Sequence, residues 1–264
     1  MTAAQNVVVQ IFVFWFGTIV GSFVNVCIFR IPRDLRITAP RSRCARCGTV
    51  VAWYDNIPIA SYIILRGRCR HCGTAFGAGH LIVEVLLGLS AWWIFQIHGV
   101  GFTGLYLFSL TAALVAVSGI DLTHRIIPDE ISLNGIWIGI AVAALASWLG
   151  FPWFVTWNDS LLGALVGGVL PWSAGTLYEK ITDREGLGFG DVKLLAFFGA
   201  NAGVYGVLVS LCVGAFLGSV VGVYLILFRG KGRRTPIPFG PFLVLGLLMY
   251  ALGGGTILMR MIRF

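Results

Sequence analysis

Gly188-Phe189-Gly190-Asp191-Val192-Lys193-Leu194-Leu195-Ala196-Phe197-Phe198-Gly199-Ala200 opens an apolar run, Val192–Phe228, that decides the fold. At about 1.5 Å rise per residue a single helix over that run reaches roughly 55 Å, against a hydrocarbon core of about 30 Å. It must therefore hold two membrane spans, with a break expected near Asn201–Tyr205 and a short first member. Working outward, further apolar segments fall at Val7–Phe29, His80–Ile97, Gly104–Ile120, Ile131–Leu149, Ser160–Tyr178 and Phe239–Leu258. The expectation is an all-α polytopic membrane protein of about eight transmembrane helices. Composition agrees: 58% of residues are hydrophobic and 11% charged, whereas soluble domains carry about 25% charged residues. The alternating segments of about ten residues that mark an outer-membrane barrel are absent.

Charge sets the orientation. Met1–Phe29 lacks a basic n-region and a small-residue cleavage site, so it reads as a retained first span with its N-terminus outside rather than a signal peptide. Eight spans then place the loops 30–79, 121–130, 179–193 and 229–238 in the cytosol, and these hold 17 of the 19 Lys and Arg residues. Arg260 and Arg263 fall on the outer side. That bias follows the positive-inside rule and accounts for the net charge of +8 without a nucleic-acid partner. The expected division is a first transmembrane helix at 1–29, a cytosolic loop at 30–79 and a transmembrane core at 80–264. Trp153 and Trp157 lie in a turn where interfacial aromatics anchor helices. No convincing internal repeat and no low-complexity segment stands out.

Two aspartates fall where apolar runs meet polar turns on the same predicted side. Asp121 closes Leu105–Ile120, and Asp191 opens the long run. An acid at a membrane edge marks function by default. Paired carboxylates share a proton, so one can activate water while the other protonates a scissile carbonyl. Gly188 and Gly190 allow a tight turn and close approach to a substrate. Structural readings stand beside these. Asp191 also suits a helix N-cap or first turn, Lys193 suits a snorkelling anchor, and Asp121 can simply end its span. Pro128-Asp129-Glu130 reads as the start of the next helix. From the residues alone a proton-coupled transporter competes evenly with an aspartyl protease.

The 30–79 loop carries Cys44-Ala45-Arg46-Cys47 and Cys69-Arg70-His71-Cys72, separated by 21 residues, each pair followed by glycine. This spacing predicts a tetrahedral zinc site on Cys44, Cys47, Cys69 and Cys72, two knuckles stapling a domain too small to fold alone. An iron–sulfur cluster and a redox pair are the alternatives. His71 is expected to be exposed rather than ligating. Cys27 and Cys212, in apolar spans, read as buried packers. A non-enzymatic scaffold docking through this loop is a third functional class.

Taken together these segments resemble the type IV prepilin peptidase family over nearly the whole chain. The resemblance rests on Gly21-Ser22-Phe23-Val24-Asn25-Val26 with Arg30-Ile31-Pro32, on Arg41 through Cys44, Trp53 through Pro58 and Arg66 through Arg70, and on Ile120-Asp121 with Pro128-Asp129. It rests further on Glu185 through Lys193, which holds the Gly-x-Gly-Asp signature, and on Pro236-Ile237-Pro238-Phe239-Gly240-Pro241. Ala45 departs from the proline common in the family at that place. The resemblance implies an aspartyl endopeptidase of the bacterial cytoplasmic membrane with its active site facing the cytosol. It implies Asp121 and Asp191 as the catalytic pair and cleavage after a glycine of the basic leader of type IV prepilins or type II secretion pseudopilins. It also implies N-methylation of the new N-terminus with S-adenosylmethionine as donor. No Rossmann motif is present for such a donor, so its site would be built from the loop and adjoining helix ends, with Asn25, Glu84 and Trp53–Pro58 as candidates. Each also has a plain structural reading: an interhelical hydrogen bond, a polar contact near a helix start, and interfacial aromatics.

Overall fold

A computed structural model describes residues 3–38, 41–151, 155–183, 186–229 and 237–251, with side chains described from residue 7 onward. Its helices are α1 (Ala3–Arg30), α2 (Ala60–Ile64), α3 (Gly79–His98), α4 (Phe102–His124), α5 (Asp129–Trp148), α6 (Trp157–Thr182), α7 (Phe189–Arg229) and α8 (Gly240–Met249). Among the described residues the extended pairings are two isolated bridges, Arg43 with Val50 and Arg68 with Ala75. Six helices are long and apolar enough to cross a membrane: α1, α3, α4, α5, α6 and α7. Two features keep the count by length at six among the described residues. First, α7 continues through a kink at Gly203, whose φ of 68° and ψ of −174° are not helical. That break lies inside the expected Asn201–Tyr205 window. Second, α8 is apolar but described over only 10 residues, below the length counted as a span, and the residues after 251 lie outside the described part. Trp153, Glu185, Pro236, the basic residues of 230–236, the end of the last expected span and both Arg260 and Arg263 lie outside the described residues.

The chain forms two compact units, 1–116 and 117–264, with the boundary inside α4. In the first unit α1 lies against α3 through small residues: a Cβ placed on Gly21 would come within 2.7 Å of Glu84 Cα, and one on Gly88 within 2.7 Å of Thr18 Cγ2. Close backbone approach of this kind is how helices associate where lipid removes the hydrophobic drive. Val24, Leu87 and Ala91 are buried at that seam.

The second unit is centred on the first half of α7. Leu194, Leu195 and Phe198 have no exposure, and every residue from Leu194 to Ala200 is buried. A helix that is apolar all round belongs inside a bundle, and this one is surrounded by α5, α6 and α8. Polar side chains tie it in. Ser160 Oγ donates to the Ala200 carbonyl at 2.6 Å and Ser210 Oγ to the Leu243 carbonyl at 2.6 Å. Asn201 Nδ2 reaches the Gly135 carbonyl at 3.3 Å. Past the kink α7 exposes Phe216, Val220, Val223 and Leu227, as a lipid-facing surface would. The first helical turn of α6 is capped by Thr156, whose hydroxyl accepts from the Asp159 amide at 3.2 Å.

Candidate active site

Asp121 occupies the last turn of α4 and is 5% exposed. The helix stops just beyond it because Arg125 turns to a φ of 57°, its amide donating to the Asp121 carbonyl at 2.9 Å. Ile126–Pro128 then connects to α5, which begins at Asp129 with Asp129 and Glu130 in its first turn, as the sequence suggests. Asp191 lies in the first turn of α7, and the Asp191 and Val192 amides donate to the Gly188 carbonyl at 3.0 and 3.3 Å. Acidic residues at a helix N-terminus are favoured by the exposed amides there. Both aspartates belong to the 117–264 unit, and their carboxyls are within electrostatic reach of each other.

Two contacts lock the loop after α4 to the first turn of α7, and a third holds Asp121 itself. The Ile127 side chain packs over Gly190, where an added Cβ would meet Ile127 Cβ at 3.3 Å. Lys193 forms an ion pair with Asp129, and its ammonium also lies 5.2 Å from the Phe189 ring centroid. The third contact comes from a segment with no role readable in the sequence: the backbone N–H of buried Gly240 donates to Asp121 Oδ2 at 2.9 Å. A Cβ at Gly240 would come within 2.8 Å of that same oxygen, so a side chain there would force the Asp121 carboxylate to shift. Gly188 remains exposed, and a Cβ there would meet Asp191 Oδ2 at an ordinary 3.5 Å. Of the two carboxyls, one is held by a backbone donor and the other stands on a glycine turn.

The four cysteines gather in the 1–116 unit. Their sulfurs all lie within 4.8 Å of one another, with Cys44 to Cys72 at 3.8 Å and Cys47 to Cys69 at 4.0 Å. A tetrahedron with Zn–S bonds near 2.3 Å has edges of about 3.8 Å, so the donor set fits a metal ion of that size. His71 is exposed and outside the cluster. The two halves are copies of one knuckle. Gly48 N–H donates to Cys44 O and Gly73 N–H to Cys69 O, both at 2.9 Å, while Cys44 N–H donates to Thr49 O and Cys69 N–H to Thr74 O, also at 2.9 Å. Gly48 and Gly73 have φ of 70° and 68°, which is why glycine follows each pair. Arg-Cys-x-x-Cys-Gly-Thr thus occurs twice, an internal repeat too short to stand out by period alone. Hydrogen bonding to the hydroxyl and amide of Thr74 brings the Cys72 thiol down to about 6, and the equivalent contacts with Thr49 lower Cys47. The thiolate is the form that binds metal.

Beside the knuckles lies a cavity of about 660 Å³, wholly within this unit and lined by Asn25, Asp55, Asn56, Ile57 and Glu84 among others. The three segments singled out in the sequence therefore meet around one space. Asn25 Nδ2 donates to the His80 carbonyl at 3.0 Å, the interhelical bond expected of it. Glu84 is buried, and its Oε2 accepts from the Ile59 amide at 2.8 Å. Asp55 is gripped by Arg70, at 2.9 Å from Nε and 2.5 Å from Nη2, and the guanidinium holds that carboxyl below its ordinary value. Trp53 is exposed, as an interfacial aromatic would be.

Comparison with known proteins agrees with this architecture. Residues 15–97 match the bacterial peptidase A24 N-terminal domain, and residues 107–223 match the type IV leader peptidase family. A prepilin leader peptidase/N-methyltransferase of Pseudomonas putida is 33% identical over 263 residues, covering 91% of this chain and 89% of that protein. Proteins of the same name from Xanthomonas campestris pv. campestris and Pseudomonas aeruginosa are 33% and 31% identical, each over 94% of this chain and over 92% and 91% of their own lengths. No solved structure matches the chain. By its two matched segments and by relatives that align nearly end to end, the chain belongs to the type IV leader peptidase family.

Proposed function

We propose that this protein removes the basic leader from type IV prepilins or pseudopilins, cutting after a glycine at the cytosolic face of the bacterial inner membrane. Asp121 and Asp191 are the reacting pair, and Gly188, Gly190 and Lys193 shape the loop that carries Asp191. In this reading one aspartate is ionised and takes a proton from the attacking water, while the other is protonated and donates to the scissile carbonyl. The tetrahedral intermediate collapses as the leaving amine takes up a proton. The dyad titrates as a unit, with no separate value for either member. What supports the proposal is that Asp121 and Asp191, from distant helix ends, lie within electrostatic reach of each other, with the Gly240 amide donating to Asp121 Oδ2 at 2.9 Å. The substrate's apolar helix stays in the bilayer while its leader reaches the pair.

The broken α7 and the apolar α8 fit eight crossings, with the N-terminus outside and the 30–79 loop in the cytosol as its own module ahead of an 80–264 core. Cys44, Cys47, Cys69 and Cys72 hold a structural Zn2+ that staples this loop. The new N-terminal amine is then N-methylated with S-adenosylmethionine as donor, by analogy with the N-methyltransferase activity for which the relatives are named. A transporter or docking scaffold would not need the dyad to cut peptide. The test is leader removal from a prepilin by purified protein in detergent, wild type beside Asp121→Asn and Asp191→Asn. General acid–base loss predicts a fall of about 10²–10⁴-fold or more in each well-folded variant. Cleavage surviving either substitution would overturn the pair, and the next candidate would be Asp129.

A further inference from the structure

Ser118 Oγ is sealed from solvent and, among the described residues, has no hydrogen-bond partner. A hydroxyl hidden from water and unpaired is costly, so each such group calls for a reason. Its own helix offers an easy remedy that Ser118 does not take. Ser109, Thr111 and Thr123, also on α4, each donate to the carbonyl four residues back at 2.8 Å. The Ser118 hydroxyl makes no such bond to Leu114.

Its place on the helix gives the reason. Ser118 stands three residues before Asp121, in the same 117–264 unit. Residues three apart on a helix are neighbours, with Cβ atoms about 5–6 Å apart. Helical side chains lean toward the N-terminus, so a carboxyl at 121 leans back over the turn that holds 118. Asp121 Oδ2 is taken by the Gly240 amide at 2.9 Å, and among the described residues no donor is recorded on Oδ1. Rotation of Ser118 between staggered χ1 wells sweeps its hydroxyl across this side of the helix.

We infer that Ser118 is a positioning residue for the proposed cleavage: its hydroxyl donates to the free oxygen of ionised Asp121, which makes Asp121 the base and Asp191 the acid. The inference rests on the peptidase reading and adds to it a division of labour within the pair. Donors gather on Asp121, which has the Gly240 N–H and lies within electrostatic reach of Arg125. Among the described residues no donor is recorded on the Asp191 carboxyl, and the charge within its reach is Asp121. The α7 amides favour charge at Asp191, but a helix terminus acts more weakly than direct donors. In the reaction Asp121 takes a proton from water as the water oxygen bonds to the scissile carbon, and Asp191 gives its proton to the carbonyl oxygen. On collapse the C–N electron pair leaves with nitrogen, which takes the proton from Asp121. One hydroxyl of the intermediate returns its proton to Asp191, so the pair ends as it began.

The experiment is the pH profile of kcat/KM for leader removal by purified full-length protein in detergent, for wild type, Ser118→Ala, Ser118→Thr and Ser109→Ala. The active pair is singly ionised. A donor to Asp121 favours that form over the doubly protonated pair, and favours the doubly ionised pair equally. Ser118→Ala is therefore expected to move the acidic limb up by about 1–2 pH units, the equivalent of one hydrogen bond to a charged group. The alkaline limb stays in place. At the optimum kcat falls by about 10- to 100-fold through lost positioning, with little change in KM. Ser118→Thr keeps the hydroxyl and restores the profile, and Ser109→Ala behaves as wild type. The other charges around the pair are Lys193 of α7 with Asp129 of α5, Glu130 beside it, His124 and Arg125 after Asp121, and Glu179 and Lys180 in the last turn of α6, while α8 from Gly240 to Met249 has no titratable side chain. All are unchanged by Ser118→Ala, so a moved limb reports on the hydroxyl. Infrared absorption of the carboxyls through a pH titration reads the same step without substrate. If Ser118→Ala does not fold, Ser118→Cys, with its weak donor, is read in the same way. The inference is overturned by an acidic limb that stays at its wild-type pH in the folded variant, by movement of the alkaline limb alone, or by a threonine profile equal to that of alanine. Wild type that cleaves no prepilin would refute the peptidase reading instead, and the infrared titration would still decide on Ser118.

Discussion

Replacing Gly240 by alanine tests whether the backbone donor to Asp121 matters for peptide cleavage. The added Cβ would stand 2.8 Å from Asp121 Oδ2 and 3.3 Å from its Cγ, whereas ordinary contact begins near 3.4 Å, so the oxygen must retreat by about 0.6 Å. Because N and Cβ lie about 2.5 Å apart on the same residue, that retreat opens the N–H···O separation of 2.9 Å to about 3.3 Å, past the range of a good hydrogen bond. A hydrogen bond to a charged group contributes about 1.5–3 kcal/mol, equivalent to about 10- to 150-fold in rate if it is lost at the transition state. Misplacing a reacting group by a fraction of an ångström has a similar consequence, up to about 10²-fold. Gly240 is not in the left-handed region, so alanine brings no backbone strain of its own there. The expected result is a kcat/KM for leader removal lower by about 10- to 150-fold in a protein that still unfolds cooperatively. Gly79→Ala is the matched control: its Cβ meets nothing within 4 Å, and cleavage should not change. Wild-type cleavage by a folded Gly240→Ala protein would refute the reasoning, because a displaced Asp121 could then not belong to the reacting pair.

Three further outcomes follow from other parts of the structure. Gly203→Ala should destabilise the protein by about 1–3 kcal/mol, the cost of a side chain in a backbone region almost confined to glycine, even though its Cβ has only ordinary contacts of 3.6 Å and beyond; an unchanged thermal midpoint would contradict the kink at that residue. Asp129→Asn removes an ion pair whose acid is 57% exposed, so stability should fall by no more than about 1 kcal/mol and cleavage by no more than about fivefold. A near-complete loss of turnover would place Asp129 among the reacting groups. Stripping metal with a strong chelator, or Cys72→Ser, should open the loop to limited proteolysis around exposed Arg41 and Arg46, because a module this small depends on its metal; metal analysis of the purified protein should find one zinc per chain before treatment and none after, and an intact loop without metal would argue against the staple.

Which of these features could be read without coordinates depended on whether they are local. The break in α7 was legible because length alone forbids one span over Val192–Phe228, and Gly203 is the residue in the window that can take the required φ of 68°. The positions of Asp121 and Asp191 were legible because an acid at the edge of an apolar run is conspicuous, and the start of α5 because Pro128-Asp129-Glu130 has the composition of a helix N-terminus. The cysteine cluster was legible from spacing. What stayed hidden is carried by backbone atoms acting across long separations. The Gly240 amide meets an acid 119 positions earlier, and nothing in Pro238-Phe239-Gly240-Pro241 distinguishes a glycine that makes room for a carboxylate from one that merely begins a helix. The same holds for Ile59: a β-branched residue predicts extended backbone, and only the amide's bond to Glu84, on another helix, explains a φ of 59°. For the span count, six helices qualify by length, α7 breaks at Gly203 as its length required, and α8 is described over 10 residues tied to α7 by Ser210. Asp121 and Glu84 thus share one feature: each is a carboxyl on a helix that accepts a main-chain N–H from a distant segment, Gly240 for the one and Ile59 for the other, so a substitution that leaves every acidic side chain in place, such as Gly240→Ala, tests the proposed pair most directly.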